Sequence, residues 1–271
     1  MTQLEGRVAV VTGAGAGLGR AEALALAAAG ARVVVNDLAG GAGTVDEIEA
    51  LGGKAMLVEG DVGERATADA LTRAAVEGFG GLHIVVNNAG VLRDRMLFNM
   101  TDEEWDLVVR VHLRGHFLLS RNASAHWRAE AKLRGGLVYG RLVNTSSEAF
   151  LLAPEGQPNY AAAKAGIVAL TQSAARALAR FGVRANAICP RARTGMTAAV
   201  FGEPPDGPDP LAPDHVAAFV TYLAGPDAEA INGRVFVVYG GMIALLSAPE
   251  VERRFDDLDS IGAYFTSREE P

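Results

Sequence analysis

The chain has 271 residues and a formal net charge of −7. That length suits one large α/β domain, and the lack of any basic run excludes nucleic acid as a partner. Apolar residues reach 49% while aromatics make up only 6%, which favours close-packed sheet and helix over a β-sandwich. The lone Cys189 excludes an internal disulfide. With no signal-like N-terminus and no membrane-spanning apolar run, a cytoplasmic protein without membrane contact is expected.

A first strand is predicted over Arg7–Thr12 and a first helix over Leu18–Gly30. Between them lies Gly13-Ala14-Gly15-Ala16-Gly17-Leu18-Gly19. Glycines at such a junction let the backbone turn tightly and approach a pyrophosphate, which the partial positive charge at the helix N-terminus attracts. The second strand, Ala31–Asn36, ends at Asp37, which lies 18 residues beyond Gly19. A carboxylate there accepts hydrogen bonds from an adenosine ribose diol and repels a 2′-phosphate. No Lys or Arg interrupts Gly13–Gly19, and Arg20 starts a helix, so NAD(H) is expected over NADP(H).

Helices over Thr44–Leu51 and Glu64–Phe79 alternate with strands over Ala55–Glu59 and His83–Asn87. One long helix, Asp102–Leu133, precedes a strand over Arg141–Thr145, and Ser147 follows that strand. The helix Asn159–Phe181 carries Tyr160 and Lys164, four residues apart and therefore on one face. Strands over Val183–Ile188 and Arg234–Tyr239 flank a Pro/Asp/Gly-rich loop, Gly202–Pro213, and a helix, Asp214–Ala224. Strands apolar on both faces, alternating with helices, predict a doubly wound, seven-stranded parallel sheet with helices on both faces. One domain is expected over residues 1–245, followed by an extension over 246–271. In that extension Phe255, Leu258, Ile261 and Phe265 recur at helical spacing, so a helix is expected to pack on its own domain or on a neighbouring subunit.

A phenol with an ordinary pKa near ~10 is a poor base at neutral pH, and a nearby cation lowers it. Lys164, with the added charge of an oxidised nicotinamide, would make Tyr160 a usable proton donor and acceptor for an alcohol/ketone pair. Ser147, 13 residues before Tyr160, would hold the substrate oxygen. A secondary alcohol and its ketone are thus the expected substrate and product.

Taken together, Thr12–Gly19, Asp61-Val62, Asn87-Asn88-Ala89-Gly90, Ser147, Tyr160 and Lys164 resemble the short-chain dehydrogenase/reductase family over essentially the whole chain. The resemblance implies a single-domain Rossmann fold. It also implies that Asp61 and Val62 flank the adenine, that Asn88, Ala89 and Gly90 line the cofactor ribose region, and that Lys164 also holds the nicotinamide ribose. Gly13, Gly15, Gly17, Leu18 and Gly19 then cradle the pyrophosphate, with Pro190 and Thr194 also at the cofactor.

Two positions depart from the family pattern. His112 replaces the usual Asn in Val111-His112-Leu113-Arg114-Gly115, where the family supports a water relay to the catalytic lysine. His112 is therefore expected to be structural or relay-supporting, and no metal site is expected because no partner cluster is visible. In Cys189-Pro190-Arg191-Ala192-Arg193-Thr194 the family usually has Pro-Gly. Arg191 or Arg193 is placed to face a pyrophosphate or an acidic substrate, the alternative being solvated arginines on a loop.

Asn36-Asp37-Leu38, Leu92-Arg93-Asp94-Arg95-Met96, Val111–Gly115 and Met196-Thr197 resemble the (3R)-hydroxyacyl-CoA dehydrogenase portion of peroxisomal multifunctional enzyme type 2, where the histidine is shared. This implies a 3-hydroxyacyl thioester such as an acyl-CoA, or another bulky lipid alcohol, in a pocket walled by Gly90–Phe98, Phe150–Pro158 and Met196–Pro213. The alternatives are a hydroxysteroid or cyclic-alcohol dehydrogenase, an epimerase or dehydratase using bound NAD, and a catalytically silent NAD-binding sensor. Apolar residues on several faces of the long helices, with the family's habits, imply a homodimer or homotetramer.

Overall fold

The computed structural model describes residues 3–266. The β-branched run Val8–Thr12 (β1) is wholly buried and leads through the glycine loop into Gly17–Ala28 (α1). Arg32–Asp37 (β2), Gly41–Ala50 (α2), Lys54–Glu59 (β3) and Arg65–Arg73 (α3) complete the first half up to Ile84–Asn87 (β4). The second half runs Asp102–Val109 (α4), Gly115–Arg134 (α5), Gly140–Thr145 (β5), Ala149–Leu152 (α6) and Pro158–Leu178 (α7). It continues through Val183–Pro190 (β6), Ala198–Phe201 (α8), Pro213–Ala224 (α9), Val235–Tyr239 (β7), Met242–Leu245 (β8) and Leu258–Thr266 (α10).

The strands lie in the order β3-β2-β1-β4-β5-β6-β7-β8. Every pairing is parallel except the last, where β8 runs antiparallel to β7. The expected seven-stranded parallel sheet is therefore eight-stranded and mixed around a Rossmann core. Gly240 and Gly241 turn the chain straight back, and a two-residue hairpin needs no crossover helix. Met242 and Ala244 then pack against Ala187, Cys189, Val235 and Val237, while Ile243 and Leu245 face outward.

The two faces of the sheet have separate cores. Leu26, Ile48, Val220 and Leu223 bring α1, α2 and α9 onto one face. Leu71, Leu119, Trp127 and Leu178 bring α3, α5 and α7 onto the other. Because the order reverses between β1 and β4, a crevice opens at their carboxyl ends, the usual binding position of such sheets.

Two predicted helices are interrupted. Ala74–Gly78 and Arg110–Arg114 are π-helical turns, so the helix expected over Asp102–Leu133 is α4, a π turn, and α5. Apolar periodicity does not register such a widening, because the flanking turns keep their buried stripe. The start of α4 is well specified: Thr101 and Glu104 form a reciprocal capping box. In the tail, α10 forms at the predicted spacing, yet none of its residues is buried. No helix among the described residues is long and apolar enough to cross a membrane.

Glu22 in α1 is wholly buried, with neither carboxylate oxygen hydrogen-bonded. Burial raises its carboxyl from about 4.5 to about 8. The folded chain keeps a proton that the unfolded chain releases above about pH 4.5. The contribution to stability is therefore complete below that pH and declines as pH rises to about 8. Glu22→Gln should remove this decline, so wild type loses ground to the variant by on the order of 1 kcal/mol per pH unit across that window. Urea unfolding at several pH values checks it, and parallel profiles for the two proteins would refute it.

Candidate active site

The carboxyl ends of β1, β2, β4, β5 and β6 border one cleft of about 590 Å³. All the sequence-predicted site residues line it except Gly15 and Gly19, which shape the loop from behind. Gly13 has φ +64°, and a side chain there would meet the Ala89 backbone at 2.7 Å. Only glycine combines that left-handed conformation with so close an approach. The first turn of α1 has no side-chain cap and no acidic residue, so its N–H groups remain available to an anion. This cradle fits a pyrophosphate.

Asp37 does more than terminate β2. One carboxylate oxygen accepts a 2.8 Å bond from the Gly15 amide and the other a 2.7 Å bond from its own neighbour Leu38. It fastens the glycine loop while keeping lone pairs for a ribose. Asn88 has a matching role: its side-chain amide donates to the carbonyls of Thr12 and Gly13. Asp61 accepts from the Gly63 amide and pairs with Arg110 at 2.6 Å. Across the cleft, Thr194 packs within 3.3 Å of where a Gly17 side chain would begin.

The trio predicted to be catalytic comes together from two elements. Ser147 follows β5 and lines the cleft with Tyr160 and Lys164, its hydroxyl favouring the ionised Tyr160 phenol. Lys164, 2% exposed, donates a 2.6 Å bond to the Thr145 carbonyl, and the Ser146 hydroxyl donates to the Lys164 carbonyl at 3.0 Å. The end of β5 is thereby latched to α7. The ammonium lies 5.3 Å from the Tyr160 ring centre. Burial pulls Lys164 down to about 7, and burial raises the Tyr160 phenol, partly offset by the Ser147 hydroxyl. Desolvation of each charged form thus outweighs the lysine's expected pull on the phenol within the protein alone.

His112 sits in the π turn, 1% exposed. Its ring meets that of Tyr160 edge-on at 5.1 Å. Nε2 is 2.8 Å from the Val91 carbonyl oxygen and 3.0 Å from the Val91 amide nitrogen, so the tautomer decides whether it donates or accepts. The ring therefore pins the strand β4 exit beneath Tyr160. A side chain on Gly90 would begin 2.4 Å from this imidazole. Burial, reinforced by Lys164, keeps His112 well below its ordinary pKa and lowers His116 to about 3. Both rings are uncharged at neutral pH.

Several positioning residues were not singled out from the sequence. His116 is buried one helical turn beyond His112, with no hydrogen-bond partner at its Nε2. Asn144 on β5 accepts from Asn87 and donates to Thr171 on α7, both at 2.8 Å. Asn159 donates to the carbonyls of Arg93 and Glu104, bracing the residue before Tyr160. The available signal was the asparagines at the ends of otherwise apolar strands, where a buried amide needs partners.

Other expectations need correction. Arg191 makes a two-pronged ion pair with Glu148 at 2.6 and 2.7 Å, and Arg193 pairs with Asp209 at 2.9 Å and donates to the carbonyls of Phe201 and Gly202. Neither guanidinium is a free loop arginine or turned to the cleft. Their carboxylate partners lie far along the chain, so spacing could not reveal them. Arg20 pairs with Glu47. Of the expected pocket walls, Gly90–Phe98 and Met196–Pro213 contribute, but Phe150–Pro158 does not line the cleft. Phe150 packs instead beside Ala187 and Cys189.

A nucleotide-shaped cleft ending at a Ser–Tyr–Lys trio on a Rossmann sheet defines a dehydrogenase. The family model described as short chain dehydrogenase matches residues 7–203, and the chain belongs to that family. It is accordingly an alcohol/ketone oxidoreductase of the nicotinamide-dependent kind. The hydroxyacyl-CoA dehydrogenase ChsB1 of Mycobacterium tuberculosis is 64% identical over 266 residues, covering 94% of this chain and 84% of that protein. Peroxisomal multifunctional enzyme type 2 of Mus musculus is 40% identical over 255 residues, which are 90% of this chain but 33% of that enzyme. A crystal structure of a short chain dehydrogenase from Mycobacterium avium matches with TM-score 0.88 at 41% identity, covering 97% of this chain and 94% of the other.

Gly13→Val should weaken NADH binding at least tenfold, about 1.4 kcal/mol, because it fills the cradle and strains the loop. Titration of NADH fluorescence measures this, and unaltered affinity would place the pyrophosphate elsewhere.

Proposed function

We propose that the enzyme interconverts a 3-hydroxyacyl thioester and its 3-ketoacyl counterpart, using NAD(H) in preference to NADP(H). The observation that carries the chemistry is the Ser147–Tyr160–Lys164 cluster at the inner end of the cleft. When bound, the nicotinamide supplies the hydride acceptor or donor. Ser147 orients the substrate oxygen by hydrogen bonding. Tyr160 takes the proton from the carbinol oxygen in oxidation and returns it to the ketone oxygen in reduction. Lys164, fixed by the Thr145 carbonyl, holds positive charge near the phenol and favours its ionised form. His112 supports Tyr160 from the side through its edge contact and its hold on Val91.

The NAD(H) preference is supported by Asp37 at the cleft's ribose end, where its carboxylate opposes a 2′-phosphate. The thioester substrate is supported by relatives that bear the name of a hydroxyacyl-CoA dehydrogenase and of the multifunctional peroxisomal enzymes. It is also supported by the exposed apolar Met196 at the cleft and by the exposed Met96, Leu97 and Phe98, which follow the cleft-lining Arg93 in the chain. We assign the catalytic domain to residues 1–245. A homodimer or homotetramer is supported by the exposed Leu258, Ile261 and Phe265 of α10, an apolar stripe that the chain's own fold leaves uncovered.

Tyr160→Phe should reduce acetoacetyl-CoA turnover with NADH by at least a thousandfold while changing NADH affinity less than threefold. Activity surviving within tenfold of wild type would remove Tyr160 from the proton step. Asp37→Ser should lower the NAD/NADP ratio of kcat/KM by about tenfold or more, as expected for losing one charge-based discrimination. An unchanged ratio in parallel assays would dissociate Asp37 from cofactor choice.

A further inference from the structure

Cationic side chains in and around the cleft are almost all engaged within the protein. Lys164 is buried on the Thr145 carbonyl, and Arg110 is paired with Asp61 and Glu64. Arg191 and Arg193 are held by Glu148 and Asp209. Arg93 differs. It lines the cleft and is exposed, and its guanidinium bonds only to the carbonyl of its own neighbour Leu92, at 2.6 Å. Among the described residues it is the one exposed cleft-lining cation that makes no ion pair.

Nearby carboxylates are already committed. Glu104 pairs with Arg95 at 2.9 Å and caps Thr101, and Asp94 accepts from Gln157 at 2.8 Å. Nor is Arg93 on a loosely tethered loop. Its carbonyl accepts from Asn159, and the Arg95 amide donates to the Gly156 carbonyl at 2.8 Å. The backbone beneath the guanidinium is thereby fastened to the first turn of α7, next to Tyr160. An exposed guanidinium that makes no ion pair, carried on a fastened backbone and followed in the chain by the exposed apolar Met96, Leu97 and Phe98, fits a ligand with an apolar chain and a phosphate-bearing end.

We propose that Arg93 is a specificity-determining residue that recognises a phosphate of coenzyme A on the thioester substrate; this rests on the thioester reading above. The reactive carbon would lie at Tyr160, and the nucleotide end of the coenzyme would leave by the mouth past Arg93. Charge-assisted contact with a phosphate then separates the coenzyme A ester from a truncated thioester bearing the same acyl group.

The test compares acetoacetyl-CoA with the acetoacetyl thioester of N-acetylcysteamine, which carries no phosphate, in NADH-linked assays of wild type, Arg93→Gln and Arg93→Lys. Arg93→Gln should raise KM for the coenzyme A ester about tenfold and leave KM for the truncated ester within twofold. Arg93→Lys should recover part of the loss, and added salt should erode the wild-type advantage. NADH affinity, followed by fluorescence, should stay constant and report an intact fold and cofactor site. An equal rise for both esters, or no rise for either, overturns the assignment of Arg93. Wild type that shows no preference for acetoacetyl-CoA over the truncated ester or simple ketones instead overturns the coenzyme A reading itself.

Discussion

The site depends on a latch between the end of β5 and the middle of α7. Lys164 bonds the Thr145 carbonyl and Ser146 bonds the Lys164 carbonyl, so strand and helix cannot slide without breaking both. An ammonium so deeply buried is costly, and its charged form is tolerable only where a polar partner meets it. Burial nevertheless draws Lys164 down to about 7. The same latch sets the separation between Ser147 and Tyr160, because Ser147 directly follows Ser146 and Tyr160 lies one helical turn before Lys164.

A second layer of polar contacts makes the latch rigid. Asn87, Asn144 and Thr171 join β4, β5 and α7 through buried hydrogen bonds. Asn88 and Asp37 do the same for the glycine loop, tying it to β4 and β2 respectively. The two functional ends of the cleft are therefore braced by the same sheet edge. Fully satisfied buried networks specify one arrangement, since any shift leaves a donor or acceptor unpaired.

The histidine departure acquires a physical meaning from the π turn. A regular helix through residue 110–114 would keep the buried stripe in phase; the widened turn presents His112 to both Tyr160 and Val91. Neutrality of His112 and His116 matters equally, because a protonated ring would add like charge beside Lys164. The loop after β6 is likewise stabilised by distant partners, with Arg193 closing onto Asp209 and the carbonyls of Phe201 and Gly202.

Sequence alone determined the alternation of strand and helix, the position of the glycine loop, and the Ser147, Tyr160 and Lys164 set. Each of these is written in local terms: apolar runs of strand length, glycines at a strand–helix junction, and two residues one helical turn apart. The antiparallel β8 lay beyond that reading, since Met242–Leu245 alternates too briefly to declare itself. The π turn, the fates of Arg191 and Arg193, and the exclusion of Phe150–Pro158 from the cleft were decided only by tertiary structure. Each turns on contacts between residues far apart in the chain, or on the local widening of one helical turn, and neither leaves a periodic trace. The isolation of Arg93 belongs with them, for a charge is unpaired only with respect to everything folded around it.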